Sequence, residues 1–328
     1  MKPAHINEPK IAAVVVTFNR PDELKGCIAA LRAQTRPADE IIVVVNGSTD
    51  GTRAWLESQP DLRVLYQENR GAAGGYARGM LDAVARDFDW LWCLDDDAHV
   101  TPTALEMLCK AMRTRPDARV FNSLCVARDD DAHFAVGALC VRTDADNYLS
   151  GQYVSARAAL APFTDADGIV DSIGGSMWHG ILIQRAVVEQ VGVPAEEFFS
   201  YGEEVEYGLR TMRAGFHVLM VTNSVVRHPA LSYAALRFWG RSKSFQLVNL
   251  RLRYLATRNG IWVHRLYYTQ NIWLYAARRL AGAWLVDLFL APQRSLRERF
   301  VFARAGLRGV YDGLRVPPPD VQAVTRIS

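Results

Sequence analysis

The chain has 328 residues, half of them apolar and 22% charged, which suits one large globular domain with an appendage, or two domains. Its formal net charge of +3 hides an asymmetry, since residues 233–328 hold 16 Lys+Arg against 4 Asp+Glu, and residues 1–232 hold 22 against 31. The five cysteines lack CxxC spacing, which excludes a disulfide scaffold and fits buried thiols in a reducing cytoplasm; Met1 to Lys10 has no apolar signal segment; Asp287 breaks the most apolar run, Leu280 to Ala291, before it could span a membrane; and an acidic body without nucleic-acid motifs excludes nucleic acid as a partner.

Ile11 to Thr17 is a β-branched run that predicts a buried strand. Phe18-Asn19-Arg20-Pro21 turns the chain, with Pro21 at the first position of a helix carrying Leu24, Ile28 and Leu31. Ile41 to Val45 predicts a second strand, the turn Asn46-Gly47-Ser48-Thr49-Asp50-Gly51-Thr52 follows, and a short helix around Trp55 leads to a third strand, Arg63 to Gln67. This βαβαβ rhythm predicts a mostly parallel sheet with helices on both faces, half of a nucleotide-binding fold. Asn69-Arg70-Gly71-Ala72-Ala73-Gly74-Gly75 then opens a helix through Met80, Val84 and Ala85. It is neither a P-loop nor GxGxxG, and its glycines fit either an anion at the helix entrance or tight helix-on-strand packing.

Trp90 to Leu94 is an apolar run that ends in Asp95-Asp96-Asp97. Three adjacent carboxylates repel one another, so they belong either to a solvated turn or to a ligand-bound cation at the carboxyl end of a strand. Alternation sends Asp95 and Asp97 to one side and Asp96 to the other. Thr101-Pro102 opens a helix through Leu105, Leu108 and Met112. Between 118 and 172, short apolar pieces (Val120–Val126, Phe134–Val141, Tyr148–Tyr153) alternate with charged loops, of which Asp129–Asp131 reads as solvated. Ile173 to Gly180 sets Trp178 among small residues, either as a packing tryptophan at a bend or where backbone approaches a ligand.

Phe198 to Arg210 leads aromatic residues into Glu203, Glu204 and Glu206 at the start of a helix over 203–214, ended by Gly215. Acids there complement the helix dipole and are also available for chemistry. Val218–Val221 and Val225-Val226 are strand-like and run to His228, which either packs or offers a neutral nitrogen to a metal beside the aspartates. From Ser232 the pattern becomes helical, basic and aromatic, with Leu236, Trp239, Phe245, Trp262, Tyr267, Trp273 and Trp284 among the arginines. Such helices fit an anionic membrane surface, the body of the protein, or a second copy in a homo-oligomer.

Seven segments in register resemble the family 2 glycosyltransferases of GT-A fold, most closely the galactofuranosyltransferase-like branch with its rhamnosyltransferase relatives. They are Val15–Arg20, Gln34–Pro37, Asn46–Thr52, Asn69–Gly75, Trp92–Asp97, Phe198–Arg210 and His228. The resemblance implies a GT-A domain over residues 1–231, with a nucleotide-sugar half to about 115 and an acceptor half beyond, followed by a helical basic region, 232–328. It implies that Thr17, Asn19, Arg20, Asn46, Ser48, Asp50, Asn69 and Gly74 surround the nucleotide of a UDP- or dTDP-sugar, with Asp96 beside the sugar or ribose. Asp95, Asp97 and His228 would hold Mn2+ or Mg2+, Glu204 would be the catalytic base, Glu203 would orient the acceptor, and Trp178 and His179 would line its side.

Two residues depart from the family pattern. Val45 stands where an aspartate usually reads the base, and Gly202-Glu203-Glu204 stands where Trp-Asp-Asp is common. The activity implied is inverting, metal-dependent transfer of galactofuranose, or next rhamnose, to a glycan or lipid-linked glycan at the cytoplasmic face of the cell membrane. A nucleotidyltransferase would carry a basic glycine-rich signature near the N-terminus, which Val14–Pro21 lacks; a membrane-associated adaptor would make the basic tail the function.

Overall fold

The computed structural model describes residues 8–135, 138–144, 147, 149–172, 177–230, 233–238, 241–246, 249–268, 270–289 and 294–321. A central sheet carries β1 (Ile11–Thr17), β2 (Glu40–Asn46), β3 (Leu62–Gln67), β4 (Trp90–Asp95), β5 (His99–Val100), β6 (Val120–Ala127), β7 (Asp130–Phe134), β8 (Leu139–Arg142), β9 (Gly151–Val154), β10 (Ile169–Ser172), β11 (His179–Gln184) and β12 (Val218–His228). Its order is β3-β2-β1-β4-β11-β6-β12-β10-β8-β9, with β5 on β12 and β7 on β6. The first four strands in that order are parallel, as are β6 and β12, while β11 runs antiparallel to both its neighbours. The sheet is therefore mixed, with a parallel half that matches the nucleotide-binding pattern of the sequence. The two strand-like pieces after residue 217 fuse into β12 through a register shift between Val221 and Val225.

β1 shows why this half is continuous in hydrophobicity. Ala12, Val14 and Val16 enter one core and Ile11, Ala13 and Val15 enter the other, so both faces are covered. One face is packed by α3 (Gly71–Ala85), α5 (Arg185–Val191) and α6 (Glu203–Arg213), with Tyr76, Met80, Val187 and Tyr207 buried. On the other lie α1 (Pro21–Arg32), α2 (Thr52–Glu57) and α4 (Ala104–Thr114), with Leu24, Ile28, Leu56, Leu105 and Leu108 buried.

The α3 glycines serve this packing. A Cβ on Gly75 or Gly79 would overlap the Val16 or Val14 side chain of β1, and one on Gly74 would meet the Arg70 side chain. Gly71 has φ +71° and its missing Cβ would stand on the Phe199 carbonyl. Gly71→Ala combines left-handed strain with that overlap and is expected to cost about 3 kcal/mol or more, measured by urea unfolding.

The region after residue 232 departs from an all-helical pattern. Tyr233–Phe238 and Arg241–Gln246 are strands β13 and β14, an antiparallel pair. Each run is only six residues long, too short for its spacing to separate a helix from a strand. Trp239, Gly240 and Leu247 lie outside the described residues, as do Tyr148 and Ile173–Ser176. Asp129–Asp131 are exposed, although Asp130 and Asp131 open β7.

Helices α7 (Leu250–Tyr267), α8 (Ile272–Phe289) and α9 (Leu296–Arg315) follow. Trp262, Val263 and Tyr267 of α7, with Val321, join the core that contains Tyr76 and Tyr207. Tyr267 donates a 2.7 Å hydrogen bond to the fully buried Glu206, which also pairs with Arg210 at 3.0 Å. Arg210 in turn donates to the Val191, Val193 and Val321 carbonyls. A buried acid held by an arginine and a phenol satisfies its charge, and truncating any member would strand the others. The C-terminal helices are thus built into the body through α7.

Candidate active site

β1 lies between β2 and β4, so the chain leaves the ends of β1 and β4 in opposite directions and opens a crevice between them, with Val16 in register with Asp95. In open α/β sheets ligands bind at such a switch point, beyond the carboxyl ends of the strands. Thr17, at the end of β1, donates to Asp96 at 2.8 Å. The half-exposed Arg20 reaches Asp96 at 3.2 Å and Asp97 at 2.5 Å. Asp95 accepts from the buried Tyr76 hydroxyl at 2.6 Å, and its backbone N–H donates to the Trp178 carbonyl at 2.8 Å. The triplet is therefore largely buried rather than a solvated turn.

Donor atoms of Asp95, His179 and His228 all lie within 4.8 Å of one another. His179 Nε2 is 3.3 Å from Asp95 Oδ2, and His228 Nε2 is 2.9 Å from Asp97 Oδ1. Asp97 Oδ1 and His179 Nδ1 are buried without an aligned hydrogen bond. His228 Nδ1 lies 2.7 Å from the Pro229 carbonyl, which selects the Nδ1–H tautomer and leaves Nε2 as a ligand atom. Two imidazoles with clustered carboxylates and orphaned donor atoms fit a divalent transition metal, Mn2+ included.

The electrostatics agree with a site short of positive charge. Burial, with the charge of Asp97 added, pushes Asp95 up to about 7. Burial also raises Asp96 to about 6 against the pull of Arg20. Burial acts to raise Asp97 too, but His228 and Arg20 outweigh it and hold that carboxyl well below the usual range. His179 is brought down to about 3 by burial and then by His228, so its imidazole is neutral and available to a metal. In His228 burial is outweighed by Asp97 and Asp95, which raise its pKa.

Several residues expected at the nucleotide also shape the loops that carry them. Asn46 is buried, accepts from Gln67 and the Arg70 N–H, and donates to the Gly71 carbonyl at 2.8 Å. Asn69 Oδ1 accepts from the Gly71 N–H at 2.9 Å. Asn19, at φ +52°, accepts from the Thr49 N–H at 2.8 Å, and its own N–H donates to Ser48 Oγ at 3.0 Å. Asp50 accepts from the Thr52 N–H at 2.9 Å and from its hydroxyl. Val45 is 2% exposed, so its side chain does not face the crevice.

Trp178, His179 and Glu203, expected on the acceptor side, take three different places. Trp178 is 4% exposed, stacks on Tyr76 at 4.1 Å and tilts onto Tyr207, so it lies behind the site and supports Asp95. His179 stands with the metal donors because it follows Trp178 onto β11, beside β4. Glu203 is 3% exposed, and burial followed by the charge of Glu204 raises its pKa well above the ordinary range. It also feels the charge of Asp95, which sets the start of α6 near the triplet.

Glu204 is the more open of the two and accepts from the Gly202 N–H at 2.8 Å. It lines a cavity of about 500 Å³ with Tyr201, Gly202, Val205, Gly260, His264 and Arg279 among others. The segment before it is strained, with Phe199 at φ +65° and Tyr201 at +63°, and Gly202 at +111°. The fully buried Asn259 of α7 donates to the carbonyls of Phe198, Ser200 and Tyr201 at 2.7–3.0 Å, which holds those dihedrals in place. No signal in the sequence marked Asn259, since a lone asparagine in a helix has no spacing to betray it.

The sequence profile described as "Glycosyl transferase family 2" matches residues 12–131, and "Glycosyl transferase family group 2" matches residues 90–304. The latter covers most of the chain, both the aspartate triplet and the α6 glutamates included. The chain belongs to glycosyltransferase family 2.

This glycosyltransferase is 31% identical over 228 residues to galactofuranosyltransferase GlfT1 of Mycobacterium tuberculosis, covering 67% of this chain and 70% of that one. It is 26% identical over 243 residues to the N-acetylglucosaminyl-diphospho-decaprenol L-rhamnosyltransferase of the same organism, covering 66% and 75%. The crystal structure of GalNAc-T7 with UDP, GalNAc and Mn2+ superposes with a TM-score of 0.59 at 14% identity, covering 97% of this chain and 58% of that one. That likeness shows the GT-A fold. For a glycosyltransferase, Asn259→Ala is expected to lower kcat more than it raises either KM and to cost about 2 kcal/mol, read from steady-state kinetics and urea unfolding.

Proposed function

We propose that the chain is an inverting, divalent-metal-dependent glycosyltransferase that moves galactofuranose, or next rhamnose, from a UDP- or dTDP-sugar to a glycan or lipid-linked glycan. The observation that carries this is the aspartate and histidine cluster at the end of β4; the start of α6 supports it, because Glu203, beside Glu204, feels the charge of Asp95. The galactofuranosyl and rhamnosyl relatives support the donor class, and the diphospho-decaprenol in one relative's name supports a lipid-linked acceptor.

Asp95, His179 and His228, with Asp97 beside them, would hold the cation, which when bound neutralises the departing diphosphate. Arg20, at present paired with Asp96 and Asp97 and half exposed, is placed to meet phosphate oxygens. Asp96, buried and held by Thr17 and Arg20, would accept from sugar or ribose hydroxyls. Glu204 takes the proton of the acceptor hydroxyl as its oxygen bonds to the anomeric carbon and the carbon–phosphate oxygen bond breaks. One displacement inverts the anomeric centre. Glu203, buried beside it and raised in pKa by burial and by the charge of Glu204, would orient the acceptor.

A panel of UDP- and dTDP-sugars with Mn2+, scored by binding and slow hydrolysis, tests the donor class. Turnover of one sugar nucleotide that chelation abolishes is expected; equal hydrolysis in EDTA would remove the metal from the account.

Among the described residues no helix is long and apolar enough to cross a membrane. Trp273 of α8 and Leu296 and Phe300 of α9 are 69%, 72% and 66% exposed in an arginine-rich region, which supports contact with an anionic bilayer surface at the cytoplasmic face. Because α7 belongs to the core, surface substitution tests this better than truncation. The pair Trp273→Glu and Phe300→Glu is expected to reduce co-sedimentation with phosphatidylglycerol vesicles severalfold without lowering Tm; undiminished co-sedimentation would place the contact elsewhere.

A further inference from the structure

The cavity that Glu204 opens into is walled mainly by the C-terminal helices, and the imidazole in that wall lacks partners. Ala256, Gly260, Val263 and His264 come from α7, Tyr275 and Arg279 from α8, and Tyr268 and Gln270 from the link between them. His264 is 4% exposed, yet among the described residues neither ring nitrogen has a hydrogen-bond partner. Its ring is stacked on Tyr275 at 4.2 Å and 24°, and on Tyr268 at 5.6 Å and 23°. A buried imidazole with both nitrogens unmet costs free energy that a ligand could recover.

The geometry points to a sugar-binding acceptor subsite in this cavity, in which His264 reads neighbouring hydroxyls against the Tyr275 and Tyr268 rings and presents the attacking hydroxyl towards Glu204. This rests on the glycosyltransfer reading above and adds the residues that choose the acceptor.

The chemistry of the wall selects a neutral polyol. Burial lowers the His264 pKa, so the ring is neutral and offers one donor and one acceptor, the pairing that two adjacent hydroxyls satisfy. An anion is disfavoured by Glu204 in the same wall, and Arg279 already spends one N–H on the Ala256 carbonyl at 2.7 Å. The remaining guanidinium edge serves as a hydroxyl donor. A volume of about 500 Å³ lies within the range of small-ligand sites.

Gly260 keeps the floor open. A Cβ there would stand 3.0 Å from the Arg279 guanidinium and 3.4 Å from the Tyr275 hydroxyl. Its place inside a helix means that a side chain would raise helix propensity while filling the cavity.

The test titrates the full-length chain with methyl β-D-galactofuranoside, methyl α-L-rhamnopyranoside and cyclohexanol, followed by saturation-transfer NMR. At least one glycoside is expected to bind in the millimolar range and cyclohexanol more weakly. His264→Phe keeps the stacked ring but removes both nitrogens, and Gly260→Val narrows the floor. Each is expected to weaken the glycoside about tenfold, with Tm within a few degrees of the parent. Cyclohexanol binding as well as the glycosides, or both variants binding like the parent, would overturn the subsite. Sugar-nucleotide binding with Mn2+, measured on the same variants, separates the two claims: its absence in the parent refutes the donor reading, whereas its retention beside unchanged glycoside affinity refutes only this one.

Discussion

Glu204→Gln is expected to lower kcat about 10³-fold, within the range that a positioned general base contributes, with little change in Tm. The substitution keeps the side-chain length and leaves an amide oxygen to accept from the Gly202 N–H, so the α6 start and the strained loop before it stay in place. What is lost is the lone pair that receives the acceptor proton. The carboxylate stands at a helix N-terminus, where the exposed N–H groups favour negative charge, and it lines the cavity beside its hydrogen-bonded neighbour Glu203. Rapid-quench measurement of a single turnover isolates this step from product release. A variant retaining a tenth of the parent rate would move the base elsewhere, with Glu203 the nearest carboxyl.

Asp95→Asn is expected to remove most transfer, by about 10³-fold, and to remove the rise in Tm that Mn2+ gives the parent. At a metal concentration a hundredfold above Kd, binding to the folded state stabilises by about 2.7 kcal/mol. Asparagine is a poor ligand but nearly isosteric, and its amide oxygen still accepts from the Tyr76 hydroxyl. The two readouts are independent, since the Tm shift needs no donor or acceptor. His228→Ala is expected to act in the same direction, with an added cost because Asp97 then keeps, among the described residues, Arg20 alone as a side-chain partner. A variant whose Tm still rises with Mn2+ as the parent's does would exclude Asp95 as a ligand.

The parallel half of the sheet was legible because β1, β2 and β4 are apolar on both faces and are punctuated by turns rich in Asn, Gly and Pro. The triplet at the end of β4 was legible for the same reason, since an apolar strand cannot extend into three carboxylates. His179 was not placed with the metal donors in the sequence, because its role depends on β11 inserting antiparallel beside β4, a pairing of residues some 85 apart that no local periodicity encodes. For Trp178 the small residues around it suit a packing tryptophan or a close approach equally, and only the family resemblance puts it on the acceptor side. The approach is real, but its partners are Tyr76 and Tyr207.

The C-terminal region shows the same limit from another side. Its charge and aromatic content predicted helices, and α7, α8 and α9 are helical, but composition alone did not separate a core helix from a surface one. Trp262 and Tyr267 are buried while Trp273 is exposed, and the difference lies in which face meets Tyr207 and Glu206. The hairpin of β13 and β14 was missed because arginine and aromatic residues recur at spacings that suit either period over so short a stretch. Loop residues such as Asn46 and Asp50 carried family-like motifs, yet their side chains are spent on backbone N–H groups that set the loop shape.

The proposed reaction is one metal-dependent displacement with inversion, in which Glu204 would serve as base and the Asp95, His179 and His228 cluster would hold the cation. Proton NMR of the reaction between the productive sugar nucleotide and a glycoside acceptor, with Mn2+ and then with EDTA, reads both parts at once. A product whose anomeric configuration is opposite to the donor's, formed only with the metal, is the expected result. Retained configuration, or equal product in EDTA, would contradict it.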